Sequence, residues 1–311
     1  MANIFSKLVQ PWYPSSAIGF EKGSAAVVQL DRGKGTAHVK RAATVALPES
    51  LIRPSFDAPN ISDSTELVAA LNSLAASAGL LRQKRWSMTL PDAASRSLIL
   101  TLEARPSGAE LDEVLRWKME RGFGEALEEL AISRERLPAD AEGRDRYLVV
   151  ATRAAIVQEF ENVLAALGWR AGLILPRHMG EAQWLTRNGA QDDSLLISSS
   201  ETGFTAMVFR GKQPLIIRSI DCEAEESEDE LFRLLLYYRD RRGAQGAGIL
   251  NRVLVLGDLF SKQRVYEILN ETLETDVRPL DPDDVGLHLS SKELNFDMIA
   301  APAGLATLAL Q

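Results

Sequence analysis

The chain has 311 residues, 46% hydrophobic and 25% charged, which is ordinary for a globular protein and long enough for one large or two ordinary cores. Its net charge of −8 opposes a broad basic face that grips a phosphate backbone, so nucleic acid is not an expected partner. One cysteine, Cys222, closes no internal disulfide, no N-terminal run has the layout of a secretory signal, and no apolar run reaches the roughly 18 residues that span a bilayer. The expectation is a cytoplasmic protein whose membrane contact comes through a partner.

In chain order, Ile4, Phe5, Leu8 and Val9 fall at helical spacing before Pro11 and Pro14, which predicts a short docking turn. Residues 18–30 read as an apolar strand, a small-residue turn at Gly23 and Ser24, and a second apolar run. A third strand over 36–45 completes a meander. Asp63 with Glu66 three residues on is an N-cap signal, and Leu67, Val68, Leu71, Leu74 and Ala78 then recur at helical spacing until Gly79. Trp86 to Leu90 is a short strand stopped by Pro91. A strand over 97–103 precedes a helix over 107–130 with an apolar stripe of Leu111, Val114, Leu115 and Met119, and with acidic residues in its first turns where the helix dipole favours them. Residues 146–153, 154–168 and 170–175 read as strand, helix ending at Gly168, and strand.

The second half predicts a hairpin around Ser198 to Phe204 and a strand over 213–220. An acidic run at 223–230 leads into a helix with Leu231, Leu234, Leu235 and Tyr238 on one face. A strand ending at Gly257, a helix over 261–273, a strand over 277–280 and a closing helix over 300–310 follow. His38, His178 and His288 lie far apart without metal-ligand spacing. Cys222 has no nearby histidine and sits beside acidic residues that raise its pKa. Ser198, Ser199 and Ser200 lack the strained turn that exposes a nucleophilic serine. The acidic clusters at 225–230 and 281–284 read as solvated caps.

The stretch Ile18-Gly19-Phe20-Glu21-Lys22-Gly23-Ser24 resembles the first phosphate loop of the actin-like ATPase superfamily, in the version of PilM-type pilus assembly proteins, I-G-I-D-I-G-S-S-S-V-K-L. Glu21 stands at the metal-directing Asp, Ala25 and Ala26 replace hydroxyl residues, and Val28 replaces the Lys. Residues 110–120, with Arg116 and Trp117, are similar to E-E-E-L-E-E-A-I-R-W-E-A-E-Q of the same family. The strand-helix-Gly-strand unit over 146–175 is similar to another of its segments. Residues 195–211 resemble its second phosphate hairpin, with Ser198 at the Asp and Ser200 at a Gly; only Gly257 is left of the adenosine loop.

The resemblance implies an α/β, bilobed actin-like fold with ribonuclease-H-like lobes. The first lobe would be 1–95 plus 285–311, an inserted α+β subdomain 96–178, and a trimmed second lobe 190–284. It implies a degenerate nucleotide site at Glu21, Gly23, Ser24, Ser198, Ser200 and Gly257, with no cofactor expected, ATP and magnesium included, because hydrolysis needs a metal-holding carboxylate and glycine backbone around the phosphates. The implied role is a cytoplasmic scaffold of a type IV pilus or related inner-membrane assembly machine. It would take a short cytoplasmic peptide of an inner-membrane partner of the PilN type in a cleft lined by Arg116, Trp117, Glu120 and Phe123. The assembly ATPase is a second implied partner. The alternatives are an active ATPase or phosphotransferase of the same fold, and a GspL-type secretion scaffold.

Overall fold

The computed structural model describes residues 13–33, 35–103, 108–187, 192–200, 202–244, 249–291 and 293–310, without the side chains of Ala109 and of residues 241–244. The docking turn expected at Ile4, Phe5, Leu8 and Val9 lies outside them. Alternating apolar residues build three sheets. In the first, β1 (Ser16–Glu21), β2 (Ser24–Arg32) and β3 (Ala37–Ala46) make the antiparallel meander, β4 (Arg85–Leu90) and β8 (Arg170–Pro176) add in parallel beside β1, and β13 (Leu287–His288) lies parallel to β3. The second has β9 (Asp193–Ser200), β10 (Gly203–Arg210), β11 (Gln213–Asp221) and β12 (Leu250–Leu256) in the order β11-β10-β9-β12. The third is β5 (Arg96–Thr101), β6 (Leu130–Leu137) and β7 (Arg146–Arg153), antiparallel, with β7 in the middle.

Period-two alternation sends each strand's side chains to two cores. Ile18, Phe20, Ala25 and Val27 pack with the helices α1 (Ser64–Ser77) and α3 (Ala154–Ala166). Asp63 caps α1 by accepting from Thr65 N and Glu66 N, and Gly79 ends it at φ +67°, as the spacing predicts. On the other face, Ala17, Ala26 and Val28 meet α7 (Phe296–Ala306), and α4 (Arg177–Thr186), packed on α7, covers Leu196 and Met207 of the second sheet. That sheet's outer face packs on α5 (Ser227–Ala244) and α6 (Lys262–Leu273) through Leu231, Leu234, Leu235, Val265 and Leu269. Two lobes thus share one central pair of helices.

Small residues make that pair possible. A Cβ on Gly304 would lie 1.9 Å from the Gly180 carbonyl oxygen, and one on Gly180 would lie 2.4 Å from that of Ala301, so α4 and α7 cross backbone to backbone. Trp184 Nε1 donates to Ala300 O at 2.8 Å and seals the crossing.

The third sheet carries α2 (Gly108–Phe123) on one face through Leu115, Met119, Phe123, Tyr147, Val149 and Ala151. Three sequence expectations are corrected here. The inserted subdomain does not run to residue 178: β8 pairs in register with β4 and α3 packs on the first sheet, so the insert's own sheet ends at Arg153. The reason is legible in Leu173-Ile174-Leu175, apolar on both faces because this parallel edge strand is covered on each side, Leu173 and Leu175 in one core and Ile174 in the other. The helix expected to reach residue 130 stops at Phe123, because Gly124 takes φ +73°, and residues 130–137 form the edge strand β6. The strand expected over 277–280 reduces to a single bridge between Val253 and Pro279, since proline cannot donate to a ladder. The first hairpin turns at Lys22-Gly23, with Glu21 opposite Ser24.

Candidate functional site

Helix α4 starts directly after β8, at the end of the first sheet where the two lobes face each other. Its first residue, Arg177, is buried there and reaches both lobes. The guanidinium Nε lies 2.7 Å from Glu181 Oε1 and 3.2 Å from Glu21 Oε1, while Nη1 donates to the Ser199 carbonyl at 2.8 Å. Glu21 ends the first strand of the first lobe, and Ser199 lies in β9 of the second. Burial opposes the charge, but the carboxylates of Glu181, Glu21 and Asp92 hold Arg177 above its ordinary value. Burial pushes the Glu181 carboxyl up to about 7, against the pull of Arg177.

The cleft over this ion cluster has a volume of about 760 Å³, and its lining includes Glu21, Lys22, Asp92, Arg177, Ser199, Ser200, Gly257, Asp258 and Asp297. Of the sequence-predicted nucleotide residues, Glu21, Ser200 and Gly257 come together on this lining. Gly23 stays in the hairpin turn and Ser24 begins β2, neither lining it, and Ser198 is fully buried beside Glu181. The donor set does not fit a metal-bound polyphosphate. The Arg177 guanidinium already spans the two hairpins, four lining carboxylates face two lining cations, and Gly257, at φ +87°, is so close to Ser199 that a Cβ there would lie 2.5 Å from the serine Cβ.

The next residue, His178, carries a second network. Its Nδ1 is 2.7 Å from Asp92 Oδ1, its backbone N donates to the same oxygen at 3.0 Å, and its Nε2 is 2.9 Å from Ser97 Oγ on β5. Burial works against the Asp92 carboxylate, but His178 and Arg177 hold it below the usual range. The three side chains have the order of a serine-hydrolase triad. Ser97, however, sits buried in mid-strand opposite Val150, without the strained turn that presents a nucleophile. The chain of bonds ties the insert to α4. Its members are 81 and 86 positions apart, so no spacing motif could reveal it.

A second cavity, of about 430 Å³, runs along the other side of α4. Leu137, Leu148 and Val150 of the third sheet form one wall, Leu175, Met179 and Ala182 the floor, and Met207 and Phe209 of the second sheet the opposite wall, with Glu135, Gln183, Lys212 and Gln213 among its polar residues. Leu148 and Val150 point to this groove because Tyr147, Val149 and Ala151 point to α2. The groove and α2 therefore lie on opposite faces of the third sheet.

The residues expected to line a partner cleft lie away from this cavity. Phe123 is fully buried in the core under α2. Arg116 pairs with Glu120 and Glu128, and Trp117 is 55% exposed under Arg121, whose guanidinium carbon is 5.4 Å from the ring centroid. None of Arg116, Trp117, Glu120 and Phe123 lines the groove. His38 and His288, distant in sequence, stack at 4.7 Å between ring centroids because β3 and β13 pair them in register, yet the described residues hold no cluster of metal-ligating side chains. Burial and the surrounding acidic residues raise the Cys222 thiol, as the acidic run predicts.

No protein-family model matches the sequence, and no curated protein matches it. Solved structures do. The whole chain superposes on a chain of a PilM-PilN type IV pilus biogenesis complex with TM-score 0.74 at 16% identity, covering 97% of this chain and 100% of that one. A Bacteroides thetaiotaomicron protein of actin-like ATPase fold matches with TM-score 0.49 at 12% identity over 96% and 98% of the two chains. The cytoplasmic domain of EpsL, an inner-membrane component of the Vibrio cholerae type II secretion system, matches with TM-score 0.47 at 13% identity over 95% and 93%. The fold is the bilobed actin-like one, PilM-like in architecture, with a small α+β insert.

Proposed function

We propose that the chain is a scaffold that holds a short segment of a partner protein in the groove between its third sheet and α4, and that it works without nucleotide turnover. The largely apolar groove along α4, walled by the insert on one side and the second sheet on the other, is the observation that carries this reading. A strand or turn of peptide that buries apolar side chains on Leu148, Val150, Met179 and Phe209 leaves its polar groups at the rim, the anatomy of a peptide-binding site. The end-to-end likeness to a chain of the PilM-PilN complex supports a partner of the PilN type, and with it a place in type IV pilus or related inner-membrane assembly machinery. Among the described residues no helix is long and apolar enough to cross a membrane, so in this reading a cytoplasmic protein is recruited to the membrane face by its partner.

Calorimetric titration of the partner's N-terminal cytoplasmic peptide tests the proposal. Met179→Glu and Leu148→Glu, which place a charge on the groove wall, are expected to weaken binding at least about tenfold, while Trp117→Ala on the far side of the insert leaves affinity unchanged. The opposite pattern moves the docking site to the outer face of α2. No binding by the wild-type chain removes the proposed partner class.

A further inference from the structure

We infer that Arg177 is a built-in cation that clamps the two lobes together and, through α4, fixes the shape of the peptide groove. Three observations meet in this residue. It is buried, and its planar fork of donors engages a carboxylate of the first lobe, Glu21, and a backbone carbonyl of the second, Ser199. Such a fork satisfies several acceptors in fixed directions, which a lysine ammonium does not. Glu181, one turn along the same helix, holds the fork from behind at 2.7 Å.

The rest of α4 is committed as well. His178 bonds to Asp92 and Ser97, Gly180 crosses α7, and Met179 and Ala182 form the groove floor. Every side of this helix therefore carries a different contact. A shift of its first turn is transmitted to the cleft, the insert and the groove alike, because a close-packed helix moves as a unit. Arg177 acts here as a positioning residue: it does not line the groove.

The groove half of the inference rests on the function proposed above; the clamp half does not. Replacing Arg177 alone leaves Glu181 buried without its partner and risks misfolding, so the informative variant is the double replacement Arg177→Met with Glu181→Gln, compared with Arg177→Lys. Amide hydrogen exchange of the folded variants reads the clamp. At least about tenfold faster exchange is expected at the Lys22-Gly23 turn and around Gly257, with α5 and α6 unchanged. Peptide affinity should fall in parallel although no altered residue touches the groove. Unchanged exchange, or a rise spread evenly over the molecule, overturns the clamp. Localised exchange with unchanged affinity overturns its link to the groove. A wild-type chain that binds no peptide sinks the proposed function, while the exchange data still decide the clamp.

Discussion

Glu181 is fully buried with Arg177 beside it and Asp92 and Glu21 nearby, and burial lifts its carboxyl from 4.5 to about 7. A group whose folded pKa is raised binds its proton more tightly in the native state. Its contribution to stability is complete below the unfolded value and is lost as pH rises through the folded one. Asp92, held low by His178, has the opposite sign: its contribution exists above its ordinary 3.8 and disappears as pH falls below that. Of these two, only the Glu181 effect operates between about pH 5 and pH 7, and Asp297, also raised by burial, acts with the same sign, so the melting temperature of the wild type should decline over that window while Glu181→Gln stays flatter. Thermal melts across pH check this, and parallel curves would exclude Glu181 as the source. Two aromatics of α2 give a second contrast. Phe123→Ala empties a fully buried site and is expected to cost about 3–5 kcal/mol in urea unfolding. Trp117→Ala, at an exposed position, should stay within about 0.5 kcal/mol. Phe123, expected in the cleft lining, instead continues the Leu111, Leu115 and Met119 stripe, four residues beyond Met119 and eight beyond Leu115.

At the scale of elements, the order of strands and helices was readable because most helices have one wet face. The α1 stripe and its Asp63 cap, the α3 stripe closed by Gly168, and the α5 face of Leu231, Leu234, Leu235 and Tyr238 all lie where the periodicity sets them. Helix α4 was not anticipated, and it carries Arg177, His178 and Glu181. Its residues 177–182 are all buried, charged ones included, so the contrast on which amphipathic periodicity depends is missing. Pro176 just ahead of it was the available start signal. Edge strand β6 escaped for a related reason: Arg134, Glu135 and Arg136 mask the alternation with charge, which an edge strand tolerates and benefits from. The crossing of α4 and α7 makes its own prediction. Gly304→Ala drives a methyl into the Gly180 carbonyl and is expected to cost about 3 kcal/mol, a fall in Tm on the order of 5–10 °C, measurable by calorimetry. A silent substitution would mean that the helices can separate without loss.

For the molecule as a whole, the cleft between the lobes is where nucleotide would matter. Ligand at a hundred times its Kd adds about 2.7 kcal/mol of stability. With a guanidinium across the cleft and carboxylates around it, millimolar Mg-ATP is expected to leave Tm unchanged, and a rise of several degrees in a thermal-shift assay would restore the ATPase reading. Length allowed two cores, and the bilobed plan itself followed from the resemblance of residues 18–30 and 195–211 to two phosphate hairpins. The groove was not, because its walls come from three sheets whose strands are far apart in sequence.

The central helix pair also sets the order in which the protein can be made. Residues 296–306 supply Phe296, Ile299, Ala300 and Ala303, which cover the inner face of the first sheet and pack on α4, while α4 covers the second sheet. As the chain leaves the ribosome, Ala17, Ala26 and Val28 are therefore complete as strands but bare on one side until this segment arrives. The meander and the insert can form early from local contacts. The first lobe becomes native only once residue 306 has emerged, and during that interval its half-built sheet is the surface most open to association with other nascent chains or to protection by a chaperone.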